Sequence, residues 1–104
     1  MTLLRDVLDE AAAGLPEIES SAAPDGSIAW SQAGRPFAVL SGDGTVAEFA
    51  LDAVVAAAAA RTPDVALSGR GPGWVRFSPN ALDDHGVDRA VAWFASAHRR
   101  LGRD

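Results

Sequence analysis

Apolar residues recur at helical spacing near both ends of the chain and alternate with polar ones between them. Leu3, Leu4, Val7, Leu8 and Ala11 fall on one stripe while Asp6, Asp9 and Glu10 point away. That spacing predicts a first helix, which Thr2 can cap and which Gly14, Leu15 and Pro16 end. Residues 20–26 are small and polar and contain Pro24-Asp25-Gly26, which reads as a loop. Ser27–Ser31 then alternates with Ile28 and Trp30 on one face, and Arg35–Leu40 follows with Phe37 and Val39 on one face. The intervening "QAGR" predicts a hairpin turn using Gly34. Gly42-Asp43-Gly44 predicts a second hairpin turn, leading into a third strand over Thr45–Leu51.

Asp52 can cap a second helix running to Arg61, stopped by Thr62-Pro63, and its alanine run suits close packing on a neighbour. Val65–Leu67 reads as a short extended piece. Trp74–Ser78 alternates again, with Val75 and Phe77 opposite Trp74 and Arg76. From Asp83 or Asp84 a last helix places Val87, Ala90, Val91, Phe94, Ala97, His98 and Leu101 within about a third of its circumference. The expected fold is therefore α+β, one domain over residues 1–104, with helices packed on an antiparallel sheet of about four strands in the order α-β-β-β-α-β-α.

Composition narrows the chemistry. Of the 48% hydrophobic residues, 22 are alanine, so the 28 larger ones must nearly all be buried to form one core. A leftover apolar face leaves room for a homodimer. Cysteine is absent, which removes disulfides and thiolate chemistry. The longest apolar run without a charge, Ala53–Ala60, falls far short of the roughly 18 residues of a membrane span. No basic start followed by an apolar core opens the chain, so a cytoplasmic address is expected. Residues 1–64 carry ten acids against three arginines, and residues 65–104 four acids against six. The overall charge of -5 argues against nucleic acid as a partner, although the C-terminal part carries a modest basic surplus.

Candidate chemistry centres on "SGRGPGWVRFSP", Ser68–Pro79, which combines three closely spaced glycines with Arg70, Trp74 and Arg76. A phosphate-cradling glycine loop feeds a helix N-terminus. These glycines feed a strand, and Pro72 lacks an N–H, so a structural turn is the expectation, with a ligand-binding loop using Arg70 or Arg76 as an anion fork as the alternative. Asp83, Asp84, His85 and Asp88 are better explained as helix-start acids than as a metal set. His98 lies on the apolar stripe of the last helix and Trp93 on its flank. Arg99, Arg100 and Arg103 crowd that helix's C-terminal end, where cations complement the dipole. No nucleophile elbow or assembled triad is visible.

Two resemblances follow from short motifs. "LPEIE", "WSQAGRPFA" with the following "GDG", and "GWVRF" before a closing helix resemble the small bacterial MmcQ/YjbR family. That resemblance implies a CyaY-like, double-wing α/β fold, for which DNA binding has been suggested by analogy. The "GDG" turn, "EFALDAVVAAAAA", "GWVRF" and a final helix ending in arginine are also similar to the luciferase-domain family. There the strand entering the turn commonly reads His-x-His-Gly-Asp. Val39-Leu40-Ser41-Gly42-Asp43 stands in that place, without either histidine.

The expected function is a non-catalytic module that binds a small molecule or a protein in the groove between the last helix and the sheet. Arg70, Arg76, Trp74, Trp93 and His98 are its candidate contacts, and no catalytic residue, metal or cofactor is assigned. The alternatives are a cofactor-independent enzyme of the luciferase-domain type with His85 or His98 as base, and a weak nucleic-acid binder using Arg70, Arg76, Arg99, Arg100 and Arg103.

Overall fold

A computed structural model describes residues 3–102. Its elements are α1 (Leu4–Ala13), β1 (Glu19–Ala22), β2 (Ile28–Gln32), β3 (Arg35–Leu40), β4 (Ala47–Ala50), α2 (Ala53–Ala59), β5 (Val65–Leu67), β6 (Trp74–Phe77) and α3 (Asp84–Gly102). The fold is α+β as expected, but the antiparallel sheet has six strands in the spatial order β1-β2-β3-β4-β6-β5. The element order is thus α-β-β-β-β-α-β-β-α.

Both added strands are sheet edges. β1 takes in residues expected to be loop, and all four of its side chains are exposed, so no apolar alternation announces it. Backbone pairing with β2 alone makes it a strand. β5 has three residues and lies against β6. Because β6 separates β4 from β5 and is antiparallel to both, those two strands run parallel, and α2 makes the crossover between them.

The helices share one face of the sheet with a single apolar core. Leu4, Val7 and Leu8 of α1 and Ala90, Phe94, Ala97 and Leu101 of α3 are buried against it, as are Ala56 and Ala59 of α2. Leu3 departs from the predicted stripe: it is 52% exposed at the start of α1. The expected cap, Thr2, lies outside the described residues. α1 and α3 run side by side in the same direction, with Val7 and Ala11 beside Val87 and Val91 and Pro16 beside His98. α3 begins where Asp83 accepts a hydrogen bond from the Gly86 N–H at 2.8 Å, an N-cap that satisfies one of the helix's free donors.

β3 contains the main departure from simple alternation. Trp30 pairs with Ala38 but Ser31 pairs with Pro36, so Phe37 is an extra residue. The bulge turns Phe37 toward the helices along with Ala38 and Leu40. Its ring meets Phe94 at 5.1 Å and His98 at 5.7 Å, and Phe94 also meets Trp30 at 5.6 Å, each edge to face. Val39 therefore does not share a face with Phe37. It pairs with Ala29 and Glu48 on the opposite side of the sheet.

The turns follow local chemistry. The β2–β3 hairpin turns through Ala33 and Gly34, with φ of 52° and 78°, as a two-residue loop of mirror-image type requires. In the β3–β4 turn only Gly44 has a positive φ; Asp43 serves through its side chain. Its Oδ1 accepts hydrogen bonds from the Ser41 hydroxyl at 2.7 Å, the Thr45 hydroxyl at 2.7 Å and the Thr45 N–H at 3.0 Å. Those donors, the Ser41 hydroxyl foremost, lower the Asp43 pKa from 3.8 to about 2. A carboxyl depressed in the folded state stabilises the fold above its unfolded pKa and loses that contribution as pH falls through the folded one. Asp43→Ala is accordingly expected to lower the melting temperature near neutral pH. The gap from the parent protein should close as pH falls from about 3.8 through about 2, read by thermal unfolding across that range.

Candidate functional site

The groove expected between α3 and the sheet is occupied by the protein's own side chains. Trp93 is half-buried, with its ring 5.3 Å from Phe77 and 6.2 Å from Phe49. His98 packs edge to face on Phe37, and its Nε2 lies 3.2 Å from the Pro16 carbonyl oxygen. A carbonyl can only accept, so Nε2 carries a proton and the ring ties α3 to the segment after α1. Trp93 and His98 thus serve packing on the helical face. Among the described residues, clefts of about 470, 300 and 230 Å³ lie at the ends and flank of the helical layer, with neither His85 nor His98 in the linings of these.

Arg70, Trp74 and Arg76 do come together, on the other face. β6 alternates so that Val75 and Phe77 enter the core while Trp74 and Arg76 project outward. Directly across from them on β4 stand Ala50 and Glu48. Glu48 is the residue that sequence reasoning missed. It is a lone acid between Ala47 and Phe49, with no role in the apolar alternation that defines the strand. Its parity was the available signal, because antiparallel pairing puts it on the face of Arg76.

The β5–β6 loop is folded onto Glu48. The Ser68 N–H donates to the Trp74 carbonyl at 2.9 Å, closing the hairpin. Gly71-Pro72-Gly73-Trp74 then forms a tight turn in which the Trp74 N–H donates to the Gly71 carbonyl at 3.2 Å, with Gly73 at φ 82°. Proline followed by a residue of positive φ is the type II arrangement. Gly73 is doubly constrained, since a Cβ there would collide with the Leu51 carbonyl. The loop's glycines thus shape the turn, in line with the expectation from sequence.

The loop delivers two groups to one carboxylate. The Ser68 hydroxyl donates to Glu48 Oε2, and Arg70 Nε lies 3.0 Å from Glu48 Oε1. The Arg70 N–H donates to the Ser68 hydroxyl at 3.2 Å, and its guanidinium sits 5.8 Å from the Trp74 ring centre. Arg76, the cross-strand partner of Glu48, makes no side-chain ion pair or hydrogen bond among the described residues. The cluster therefore holds two guanidiniums and one carboxylate, which is paired with Arg70, and carries a net positive charge on an otherwise acidic chain.

The remaining expected residues lie elsewhere. His85 is exposed in the first turn of α3, and Asp83 is engaged as its cap. No group of three or more His, Asp or Glu among the described residues could hold a metal ion. Arg99 and Arg100 close α3 on the helical side, and Arg103 lies outside the described residues. No described helix is long and apolar enough to cross a membrane. Comparison with known protein families, curated proteins and solved structures finds no match for the chain.

Arg70 is 47% and Glu48 19% exposed, so water screens part of their attraction. A double-mutant cycle of Glu48→Ala and Arg70→Ala is expected to give a coupling of about 0.5–1 kcal/mol, measured by denaturant unfolding. In Glu48→Ala the Ser68–Gly73 amides should also exchange faster with solvent.

Proposed function

We propose that the chain is a non-catalytic binding module whose recognition surface is the outer face of the sheet, around Arg70, Trp74 and Arg76. The observation that carries this reading is the cluster on Glu48, in which a constrained turn holds one arginine against a tryptophan while a second arginine beside it has no partner among the described residues. Preorganisation lowers the entropic cost of binding, and a guanidinium next to an indole suits a carboxylate attached to a flat or apolar group. The helices pack on the opposite face, and on this one Arg70 and Arg76 are exposed while Val39 and Ala50 in its middle are buried.

The luciferase-type alternative draws less support. His98 is engaged in packing and with Pro16, His85 stands in the first turn of α3 outside the described clefts, and the histidines that mark that family's turn are absent. Nucleic-acid binding through one arginine surface also fares poorly, because Arg70 and Arg76 stand on the outer face while Arg99 and Arg100 belong to the helix on the opposite side.

Titration of the isotope-labelled protein with indole-3-acetate and with a glutamate-rich peptide is expected to shift the Trp74 indole and the Arg70 and Arg76 Nε resonances. Arg76→Ala should weaken that response severalfold. Shifts centred on Trp93 and His98, or no shift at millimolar probe, would refute the outer-face assignment.

A further inference from the structure

The strand register sorts the outer face into rows. One row runs Glu19, Ser31, Ala50, Trp74, Ser68 across β1, β2, β4, β6 and the end of β5, passing the bulge in β3. The next runs Ser21, Ala29, Val39, Glu48, Arg76, Ala66 through all six strands. Read across, the face carries an exposed carboxylate on β1, small side chains in the middle, and its two arginines at the β6 end. Glu48, the one charge in the middle, is already paired with Ser68 and Arg70.

Resting on the outer-face reading above, we infer that the partner docking there is a second copy of this chain, with Glu19 supplying the carboxylate that Arg70 and Arg76 receive. A two-fold axis running along β3 reverses the strand order while keeping each residue at its level along the strands. It lays β1 of one copy over β6 of the other, roughly 19 Å from β1 at four strand spacings. Glu19 then meets Trp74 and Arg70, and Arg76 lies within its reach. Ser31 lies over Ala50 and Ala29 over the satisfied Glu48, with Val39 on the axis; Ala50 and Val39 are already buried in the single copy, so the docking rests on the charged ends.

Every contact occurs twice, as two-fold symmetry requires. Small residues along the centre let two sheets approach to the usual spacing of about 10 Å. The opposite arrangement, β1 over β1, would set Glu19 against Glu19 and arginine against arginine. The charge pattern therefore selects the orientation as well as the partner. A face of this size belongs with the smaller interfaces, so the dimer is expected to dissociate at micromolar concentrations.

Sedimentation of the full chain between about 1 µM and 1 mM tests this, a range that spans the expected dissociation constant. A monomer–dimer equilibrium is expected, and Glu19→Arg and Arg76→Glu should each weaken it about tenfold. An equal mixture of those two variants should associate more tightly than either alone, because the mixed pair regains opposite charges at both ends. Unchanged circular dichroism of each variant shows that the fold is intact. A chain monomeric throughout, or a dimer indifferent to both reversals, overturns the inference. If that monomer still shows Trp74 and Arg76 shifts with indole-3-acetate, the outer-face reading survives while self-association falls. If it shows none, both fall.

Discussion

Pro36 has no N–H to give to a strand ladder, and it lies where β3 pairs with β2 alone, since the β4 ladder begins at Ala38. Between Pro36 and Ala38 the strand carries one extra residue, Phe37. That insertion decides which side chains face the helices. Phe37 and Ala38 both turn inward, Phe37 and Trp30 enclose the Phe94 ring, and His98 closes over Phe37. From Ala38 onward the parity is restored with Leu40 inward and Val39 outward. The core under α3 and the composition of the outer face both descend from this single irregularity.

Filling one face leaves the other as the proposed recognition surface. The space between α3 and the sheet contains Phe94, Trp93 and His98 packed on strand side chains, so a ligand there would have to displace the core. On the outer face the same sheet presents polar groups in fixed positions. The Gly71–Trp74 turn, constrained by proline and by the close approach of Gly73 to Leu51, holds Arg70 on Glu48 and Trp74. A turn that shapes backbone and a cluster that presents charge are thus one device.

Much of this was legible in the residues. The stripes of α1 and α3, the Ala33-Gly34 hairpin, the inward Val75 and Phe77 and the outward Trp74 and Arg76 all follow from periodicity and turn chemistry. β1 was not, because a four-residue edge strand with every side chain exposed leaves no pattern apart from its neighbour's hydrogen bonds. The bulge did leave a trace, since proline within a central strand implies an interruption, but alternation through Phe37 and Val39 concealed it. The candidate site was half readable: Arg70, Trp74 and Arg76 share a face by their positions in one hairpin. Trp93 and His98 could be separated from them only once the helices were placed. Glu48 needed the β4–β6 pairing, a contact between strands that α2 and β5 separate in the chain.

The placement of Phe37 and Val39 bears most directly on all of this, and nuclear Overhauser spectroscopy of the folded protein reads it. The Phe37 ring should give cross-peaks to Phe94 and His98, while the Val39 methyls should give cross-peaks to Ala29 and Glu48 and none to α3. Val39 methyls in contact with Phe94, with Phe37 on the solvent side, would contradict the bulge and with it the division of the sheet into a filled face and a proposed recognition face.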